Sequence, residues 1–127
     1  MKHITIAGTD HHPTVDFDPS TGVMLLGGRS IPANPQEFYE PLIAWILEYA
    51  EAPKPESRMK IDLEYFNTGS SKKIWDVMRT LKKLNDAGQT NLVVEWYFDE
   101  DDEDMEEAAQ EYEELMEMKF SMHPKKE

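Results

Sequence analysis

Hydrophobic and polar positions alternate in two short runs near the start of the chain and in a longer run at its centre. The runs HITIA at 3–7 and TVDFD at 14–18 have the period of two that is typical of strands. The turn sequence DPSTG follows the second run and leads into the apolar segment VMLLGG at 23–28, so we predict a hairpin. RMKIDLEYF at 58–66 alternates strictly, and NLVVEWYF at 91–98 is apolar enough to be a central strand.

The alternation at 58–66 also predicts which side chains of that strand are buried. From position 59 to position 65, the odd residues are apolar and the even residues are charged. Because successive side chains of a strand point to opposite faces of the sheet, the odd positions share one face. The side chains predicted on the buried face are Met59, Ile61, Leu63 and Tyr65.

The first helix is predicted over residues 35–50. Asn34 has the side chain of an N-cap, Pro35 suits the first helical position, and Glu37 stands in the capping-box position. Apolar residues then recur at steps of three and four, which gives the helix one apolar face. That face consists of Phe38, Leu42, Trp45, Ile46 and Tyr49.

Two further helices are predicted in the second half of the chain. One follows the segment FNTGSSKKI at 66–74 and ends near Gly88, where a glycine cap belongs. The other begins at about Met105. The predicted inward residues are Ile74, Val77, Met78, Leu81 and Leu84 in the former, and Ala109, Tyr112, Leu115 and Met116 in the latter.

These elements follow one another in the order β-β-β-α-β-α-β-α. The last two predicted strands are each preceded by a helix, which is typical of βαβ units. We therefore predict a single α/β (α+β) domain over residues 1–127, with a mixed sheet of about five strands and helices mostly on one face. The tail at 120–127 is predicted to be frayed.

Charge is distributed unevenly along the chain. The net charge is −13, and the segment Asp99–Glu117 carries 12 acidic residues without Lys or Arg, whereas the remainder has 14 acidic and 13 basic residues. This balance disfavours binding to nucleic acid or to anionic membranes. No apolar run is long enough to span a bilayer and the first residues resemble no leader peptide, so we expect no membrane insertion and a cytoplasmic location.

The sequence contains none of the common catalytic or metal-binding motifs. It has no cysteine, which excludes disulfides, thiol catalysis and zinc–thiolate sites. His11 and His12 precede a proline without the spacing of HExxH, and DEDDED at 99–104 lacks the glycine and the ligand alternation of a calcium loop. GxGxxG, Walker and GxSxG patterns are also missing. We therefore predict no metal, no cofactor and no enzymatic activity.

The segment between the central strand and the second helix is the strongest candidate site. Its residues 67–71 (NTGSS) are all small and none is apolar. One interpretation is that a Thr or Ser hydroxyl caps the helix. The other is that Thr68 is displayed for phosphorylation, because a phosphate there would lie at the positive end of a helix, near Lys72 and Lys73. The residues by themselves leave both interpretations open.

Two long runs, GRSIPANPQEFYEPLIAWILEY at 28–49 and YFNTGSSKKI at 65–74, resemble the SiaC family of bacterial regulatory phosphoproteins. The resemblance covers nearly the whole chain, from the IAGTD start to the acidic third helix. It implies a fold similar to that of STAS-domain anti-sigma-factor antagonists, which display a phosphorylatable Ser or Thr at the start of the helix after a central strand. The residue in that position here is Thr68.

The resemblance also implies a partner-switching role. A serine/threonine protein kinase would phosphorylate Thr68, and a metal-dependent protein phosphatase would remove the phosphate. The unphosphorylated form would bind a diguanylate cyclase and promote cyclic-di-GMP synthesis, which controls aggregation and biofilm formation, and phosphorylation would block this binding. Because kinase and cyclase must both reach Thr68, we expect the partner surface to include Asn67, Gly69, Ser70, Ser71 and Lys72.

Two other functions stay open. The chain is a constitutive interaction adaptor if Thr68 is only a turn residue. It is an enzyme if its loop histidines or acidic residues are catalytic, which the missing motifs disfavour. A phosphate adduct in the intact mass of the protein from its native host would favour the switch over the adaptor.

Overall fold

The computed structural model describes residues 1–126. Strands and helices follow in the predicted order, with one further strand at the end. The strands are β1 (Ile4–Ile6), β2 (Thr14–Asp18), β3 (Val23–Ser30), β4 (Glu56–Phe66), β5 (Asn91–Asp99) and β6 (Ser121–Lys125), and the helices are α1 (Pro35–Tyr49), α2 (Thr68–Asp86) and α3 (Glu103–Met116).

The strands form one mixed sheet whose spatial order equals the chain order. β1, β2 and β3 are antiparallel neighbours, whereas β3, β4, β5 and β6 are parallel. A helix connects each pair of neighbouring parallel strands. Because every such connection is right-handed and leads to the next strand in the same direction across the sheet, all three helices lie on one face. The predicted α/β class is confirmed. One edge of the sheet is formed by the carboxyl ends of the parallel strands, at Ser30, Phe66 and Asp99. The helices that follow them start at this edge.

The hydrophobic core lies between the three helices and one face of the sheet. Buried and less buried residues alternate along β4, so Met59, Ile61 and Leu63 face the helices. Helix α2 buries all five residues predicted for its inner side. Within residues 1–126, no helix is both long enough and apolar enough to cross a bilayer.

The predicted helix boundaries are confirmed where a cap was visible in the sequence. The Asn34 side chain accepts a hydrogen bond from the Glu37 N–H at 3.1 Å, and Pro35 is the first helical residue of α1. Gly88 has φ +72° just after the last turn of α2, as a glycine cap requires.

The end of the chain differs from the prediction. Residues 121–125 form the edge strand β6, so the frayed tail predicted at 120–127 is wrong over this stretch, and the sheet has six strands instead of about five. Phe120 anchors the strand, because its ring stacks on Trp96 and its N–H donates to the Glu113 carboxylate at 2.8 Å. The sequence SMHPK contains no β-branched residue and no clear alternation, so it gave no strand signal. Residue 127 lies outside the described residues.

β4 contains a bulge close to its end. Leu63 pairs with Gly28, but the next residue of β3, Arg29, pairs with Tyr65. Glu64 is therefore an extra residue on β4. An extra residue reverses the side-chain alternation beyond it, because the period of a strand is two.

The bulge exchanges the two aromatic residues that follow it. Tyr65, which we predicted on the buried face, is 49% exposed, so that prediction is wrong. Phe66 packs against the core instead, with its ring centroid 6.4 Å from that of Tyr112 on α3. The alternation of the sequence gave no sign of the bulge.

Helix α3 begins at Glu103, two residues before the predicted start. Its buried residues are Met105, Ala109, Tyr112 and Met116, which recur at steps of four, three and four. Leu115, which we predicted in this stripe, is 56% exposed, so its assignment to the core is wrong. It lies beside the stripe because adjacent helical residues are about 100° apart around the axis.

Candidate functional site

The segment from Asn67 to Lys72, which we call the acceptor turn, joins the end of β4 to the first turn of α2. Asn67 is the N-cap: its side-chain oxygen accepts a hydrogen bond from the Ser70 N–H at 2.9 Å, and its own N–H donates to the Ser30 carbonyl at 3.2 Å. Thr68 is the first helical residue and is exposed. Asn67 therefore caps the helix in place of the three hydroxyl groups considered from the sequence, and Thr68 stays at the surface.

Three buried hydroxyl groups form hydrogen bonds on the buried side of the acceptor turn. We call them the upper hydroxyl network. Its members are Tyr39 on α1, Ser30 at the end of β3 and Ser70 on α2, and each is 0% exposed. Ser30 Oγ donates to Ser70 Oγ at 2.9 Å, and Ser70 Oγ donates to the Ser30 carbonyl at 2.9 Å. The Tyr39 hydroxyl lies 2.6 Å from Ser30 Oγ and must be the donor, because the Ser30 hydrogen is already used.

The upper hydroxyl network is uncharged at physiological pH and fixes the position of the acceptor turn. Burial raises the pKa of Tyr39 to about 12, so its hydroxyl stays protonated. Every hydroxyl hydrogen in the network has an acceptor, and a fully satisfied buried network favours one arrangement of the elements it joins. The start of α2 is thereby held against both β3 and α1.

Two further contacts hold the acceptor turn from the sides. On one side, the Tyr112 hydroxyl of α3 donates to the Ser71 carbonyl at 2.8 Å, and burial raises the pKa of this tyrosine. On the other side, Gly69 lies against the first residue of α1: a Cβ at this position would be 3.0 Å from Pro35 Cγ. The acceptor turn thus has little freedom to move relative to its neighbours.

The start of α2 differs electrostatically from the other two helix starts. α1 has Glu37 in its first turn and α3 has three acidic residues there, whereas α2 has none. Acidic side chains offset the positive end of a helix, so α2 keeps its full positive potential. Since Asn67 binds the N–H of Ser70, the N–H groups of Thr68 and Gly69 are left without an intrahelical acceptor.

Two lysines follow Thr68 on the same helix. Lys72 lies four residues after Thr68, hence on the same face one turn further along, and it is exposed. Lys73 lies on another face, where its Nζ is 3.8 Å from the Asp76 carboxylate. Of these two lysines, Lys72 is therefore the one on the same face of α2 as Thr68.

The structure brings the predicted site residues together but does not expose all of them. Thr68, Gly69 and Lys72 are exposed, while Asn67 and Ser71 are partly exposed. Ser70, which we expected on the partner surface, is buried beneath the turn. Its hydroxyl is too deep for a direct contact with a partner, because it donates to a main-chain carbonyl inside the domain.

Sequence reasoning missed the residues that support the turn. Ser30, Tyr39 and Tyr112 are far from Thr68 along the chain, and no local pattern links them to it. The one signal was indirect: the run 28–49, which carries much of the family resemblance, contains both Ser30 and Tyr39.

The histidines and the acidic run form no metal centre in the described part of the chain. Between residues 1 and 126, no group of three or more His, Asp or Glu side chains is arranged to hold an ion. His12 lies beside the Phe38 ring, and His3 pairs with Asp16. In the acidic run, the Asp102 carboxylate caps α3 by accepting a hydrogen bond from the Met105 N–H at 3.0 Å.

Known proteins share both the sequence pattern and the fold. A model of the family described as SiaC family regulatory phosphoprotein matches residues 6–125. An uncharacterized protein of Pseudomonas aeruginosa (strain UCBPP-PA14) is 25% identical over 122 residues, which cover 96% of each chain. The crystal structure of apo-SiaC from P. aeruginosa is similar with a TM-score of 0.87 at 24% identity, covering 97% of this chain and 99% of that one. A structure of the diguanylate cyclase SiaD in complex with its activator SiaC, also from P. aeruginosa, gives a TM-score of 0.85 at 24% identity, with 98% and 99% covered.

Proposed function

Because the chain belongs to the SiaC family of regulatory phosphoproteins, we propose that it is a cytoplasmic partner-switching regulator controlled by phosphorylation of Thr68. The unphosphorylated protein binds a diguanylate cyclase and activates cyclic-di-GMP synthesis, so it acts by binding and not as an enzyme. A serine/threonine protein kinase adds the phosphate, and a metal-dependent protein phosphatase removes it. The cyclase is proposed because a SiaC of the same fold is the activator in the complex with SiaD.

The observation that carries this proposal is the placement of Thr68. Its side chain is exposed, whereas the neighbouring hydroxyls of Ser70 and Ser71 both donate to main-chain carbonyls. It also stands at a helix start without acidic residues and one turn before Lys72. A kinase can therefore reach this hydroxyl without unfolding the turn, and the domain can accommodate the phosphate that results.

Phosphorylation should leave the fold intact. An anion at a helix N-terminus is stabilised by about 0.3–1 kcal/mol when it is exposed. The supporting hydrogen bonds of Tyr39, Ser30 and Ser70 lie beneath the turn and do not involve the Thr68 side chain. The phosphate therefore adds charge and bulk to the surface without breaking the network below it.

Phosphorylation should block cyclase binding. The modification adds a charge of about −1.5 to −2. A partner that covers Thr68 must strip water from this group, which costs several kcal/mol unless strong new hydrogen bonds replace it. Exposed ion pairs return only about 0–1 kcal/mol. Because desolvation is the larger effect, we expect a loss of about 100-fold in affinity, or roughly 2.7 kcal/mol.

The test measures cyclase affinity and cyclic-di-GMP synthesis with four forms of the protein: wild type, kinase-treated wild type, Thr68→Ala and Thr68→Asp. Untreated wild type and Thr68→Ala should bind and activate. Kinase-treated wild type should do neither, and Thr68→Asp should be impaired in part, because a carboxylate has less charge than a phosphate. Circular dichroism on each form shows whether the fold persists.

Ser71→Ala is the matched control, because it removes a hydroxyl from the same turn while leaving Thr68 in place. It should accept one phosphate per chain, whereas Thr68→Ala should accept none. If the protein is stoichiometrically phosphorylated at Thr68 and still binds the cyclase as tightly as before, the switch is wrong and a constitutive adaptor remains.

A further inference from the structure

We propose that the diguanylate cyclase docks on the exposed ring of Tyr65 and on the groove beside it. This surface, which we call the Tyr65 groove, is lined by Tyr65, Phe66, Met105 and Ala108. The occupant is a segment of the cyclase that carries one apolar side chain next to a Lys or Arg. This inference rests on the proposed function and adds a contact surface beyond the acceptor turn.

The exposure of Tyr65 results from a specific backbone feature. The extra residue at Glu64 turns the Tyr65 ring away from the core, where the alternation of β4 would otherwise have placed it. Bulges of this kind occur often beside functional sites, where they redirect a side chain. The bulge thus exposes Tyr65 while Phe66 packs against the core, two residues before Asn67, where the acceptor turn begins.

Tyr65 is also the exposed apolar residue that lies on the same edge of the molecule as Thr68, at the carboxyl ends of the parallel strands. Over residues 1–126, the other large apolar side chains that are well exposed lie at the opposite edge, near the start of β1 or the ends of α1 and α3. They are Met1, Leu47 and Leu115.

A neighbouring arginine holds the Tyr65 ring in place. The Arg29 guanidinium lies 5.6 Å from the ring centroid, and its Nε donates to the Asp10 carbonyl at 3.3 Å. A ring that is fixed before binding loses less entropy when a partner covers it. Tyr and Arg are moreover among the residue types that contribute most to binding at protein interfaces.

The groove has room for about one apolar side chain, and carboxylates form part of its lining. Its volume is about 230 Å³, between the end of β4 and the start of α3, and Tyr65, Phe66, Met105 and Ala108 are its apolar lining residues. Glu64, Asp102 and Asp104 also line it; Glu64 lies 3.8 Å from the Arg29 guanidinium and the Asp102 carboxylate caps α3, which leaves Asp104 as the carboxylate without either role. Charge complementarity therefore calls for a cationic residue beside the apolar side chain of the partner.

Tyr65 and Phe66, which line one side of the groove, lie within three residues of Thr68 in the chain, and Met105 and Ala108 of α3 line the other side. A partner segment that runs from the groove along the end of β4 to the acceptor turn covers the Thr68 hydroxyl as well. A phosphate on Thr68 would be buried under that segment, and the cost of removing its water exceeds the weak attraction between exposed charges at the rim. Binding in the groove and release by phosphorylation are thus compatible.

The test measures cyclase affinity for wild type, Tyr65→Ala, Ala108→Leu and Leu115→Ala, with Thr68→Asp as a separate arm. Tyr65→Ala removes the ring, and Ala108→Leu fills the groove without disturbing the helix. We expect each to weaken binding at least tenfold. Leu115→Ala removes a side chain of similar exposure from the far end of α3 and should bind like wild type.

The separate arm distinguishes this inference from the proposed function. If Thr68→Asp weakens binding while folded Tyr65→Ala and Ala108→Leu bind like wild type, the groove is not the docking surface and the switch stands. If Thr68→Asp and phosphorylated protein also bind like wild type, the proposed function fails and the docking surface fails with it.

Discussion

Two buried hydroxyl networks lie at opposite ends of α1, and they are built from the same chemistry. The upper hydroxyl network supports the acceptor turn. At the other end, the Tyr49 hydroxyl lies 2.8 Å from Ser57 Oγ, which lies 2.7 Å from Thr90 Oγ1. Thr90 in turn donates to the Lys54 carbonyl at 2.7 Å. We call Tyr49, Ser57 and Thr90 the lower hydroxyl network.

The two networks differ in what they support. The lower network holds the proline-containing loop at 51–55, since the Tyr49 hydroxyl also accepts a hydrogen bond from the Lys54 N–H at 3.0 Å. The upper network holds a helix start that carries the exposed Thr68. Hydrogen-bonded hydroxyl groups thus fix the structure at both ends, and in the proposed function only the exposed Thr68 hydroxyl is a site of regulation. Damage to either network should cost stability, but only damage to the upper one should change the reactions of Thr68.

The largest effect should come from Gly22→Ala at the lower network. Gly22 has φ +77°, and a Cβ there would lie 2.8 Å from both the Glu56 carbonyl and the Tyr49 hydroxyl. Backbone strain of about 1–2 kcal/mol adds to an overpacking cost of about 1–3 kcal/mol, so we expect a loss of about 3 kcal/mol in urea denaturation. The rate of Thr68 phosphorylation per folded molecule should not change.

Gly88→Ala is the matched control for this substitution. Gly88 has a similar φ of +72°, but a Cβ there would meet no atom within 4 Å. Its free energy of unfolding should fall only by the backbone strain of about 1–2 kcal/mol. Equal losses for the two variants would mean that the lower network is not as tightly packed around Gly22 as described.

A pair of serine substitutions compares the two networks directly. Ser57→Ala and Ser70→Ala each remove a buried hydroxyl and leave a partner unsatisfied, so each should cost about 1–3 kcal/mol in the free energy of unfolding. Ser70→Ala should in addition slow phosphorylation of Thr68 and weaken cyclase binding, because Ser70 ties the acceptor turn to β3. Ser57→Ala should leave both unchanged. A similar effect of Ser57→Ala on Thr68 would contradict the division between the networks.

The sequence predicted those parts of the fold whose signals are local. The cap at Asn34, the inner face of α2 and the position of Thr68 at the start of the helix that follows β4 all depend on residues that are close in the chain. The edge strand β6 was missed because its stability comes from Phe120 packing on Trp96 and from pairing with β5, which are long-range contacts.

The sequence predicted the exposed residues of the candidate site but not the buried hydrogen bonds that hold them in place. Thr68 and its neighbours could be identified because they are contiguous. The burial of Ser70 and its bonds to Ser30 depend on how β3 approaches α2, across 40 residues of chain. The bulge at Glu64, which exposes Tyr65, depends on register with β3 and leaves no mark on the alternation of β4.

The smallest effect concerns the protonation of Tyr39. Tyrosine has a pKa of about 10 when it is unfolded and exposed, and burial raises the pKa of Tyr39 to about 12 in the folded protein. The folded state therefore keeps the proton longer than the unfolded state. The stability that Tyr39 contributes is complete below pH 10 and is lost as the pH rises from 10 to 12. One pH unit in this window corresponds to about 1.4 kcal/mol.

Tyr39→Phe removes this titration together with the hydroxyl. At pH 8 the variant should be less stable than wild type by about 0.5–1.5 kcal/mol, the net value of one hydrogen bond. At pH 11 the difference should have shrunk by about 1 kcal/mol, because only wild type loses stability through Tyr39. Urea denaturation at the two pH values measures this, and Tyr112→Phe is a positive control because burial raises the pKa of Tyr112 as well. A difference that is the same at both pH values would mean that Tyr39 titrates alike in the folded and unfolded protein. The upper hydroxyl network would then be open to water, and it could not hold the acceptor turn in the way that separates it from the lower one.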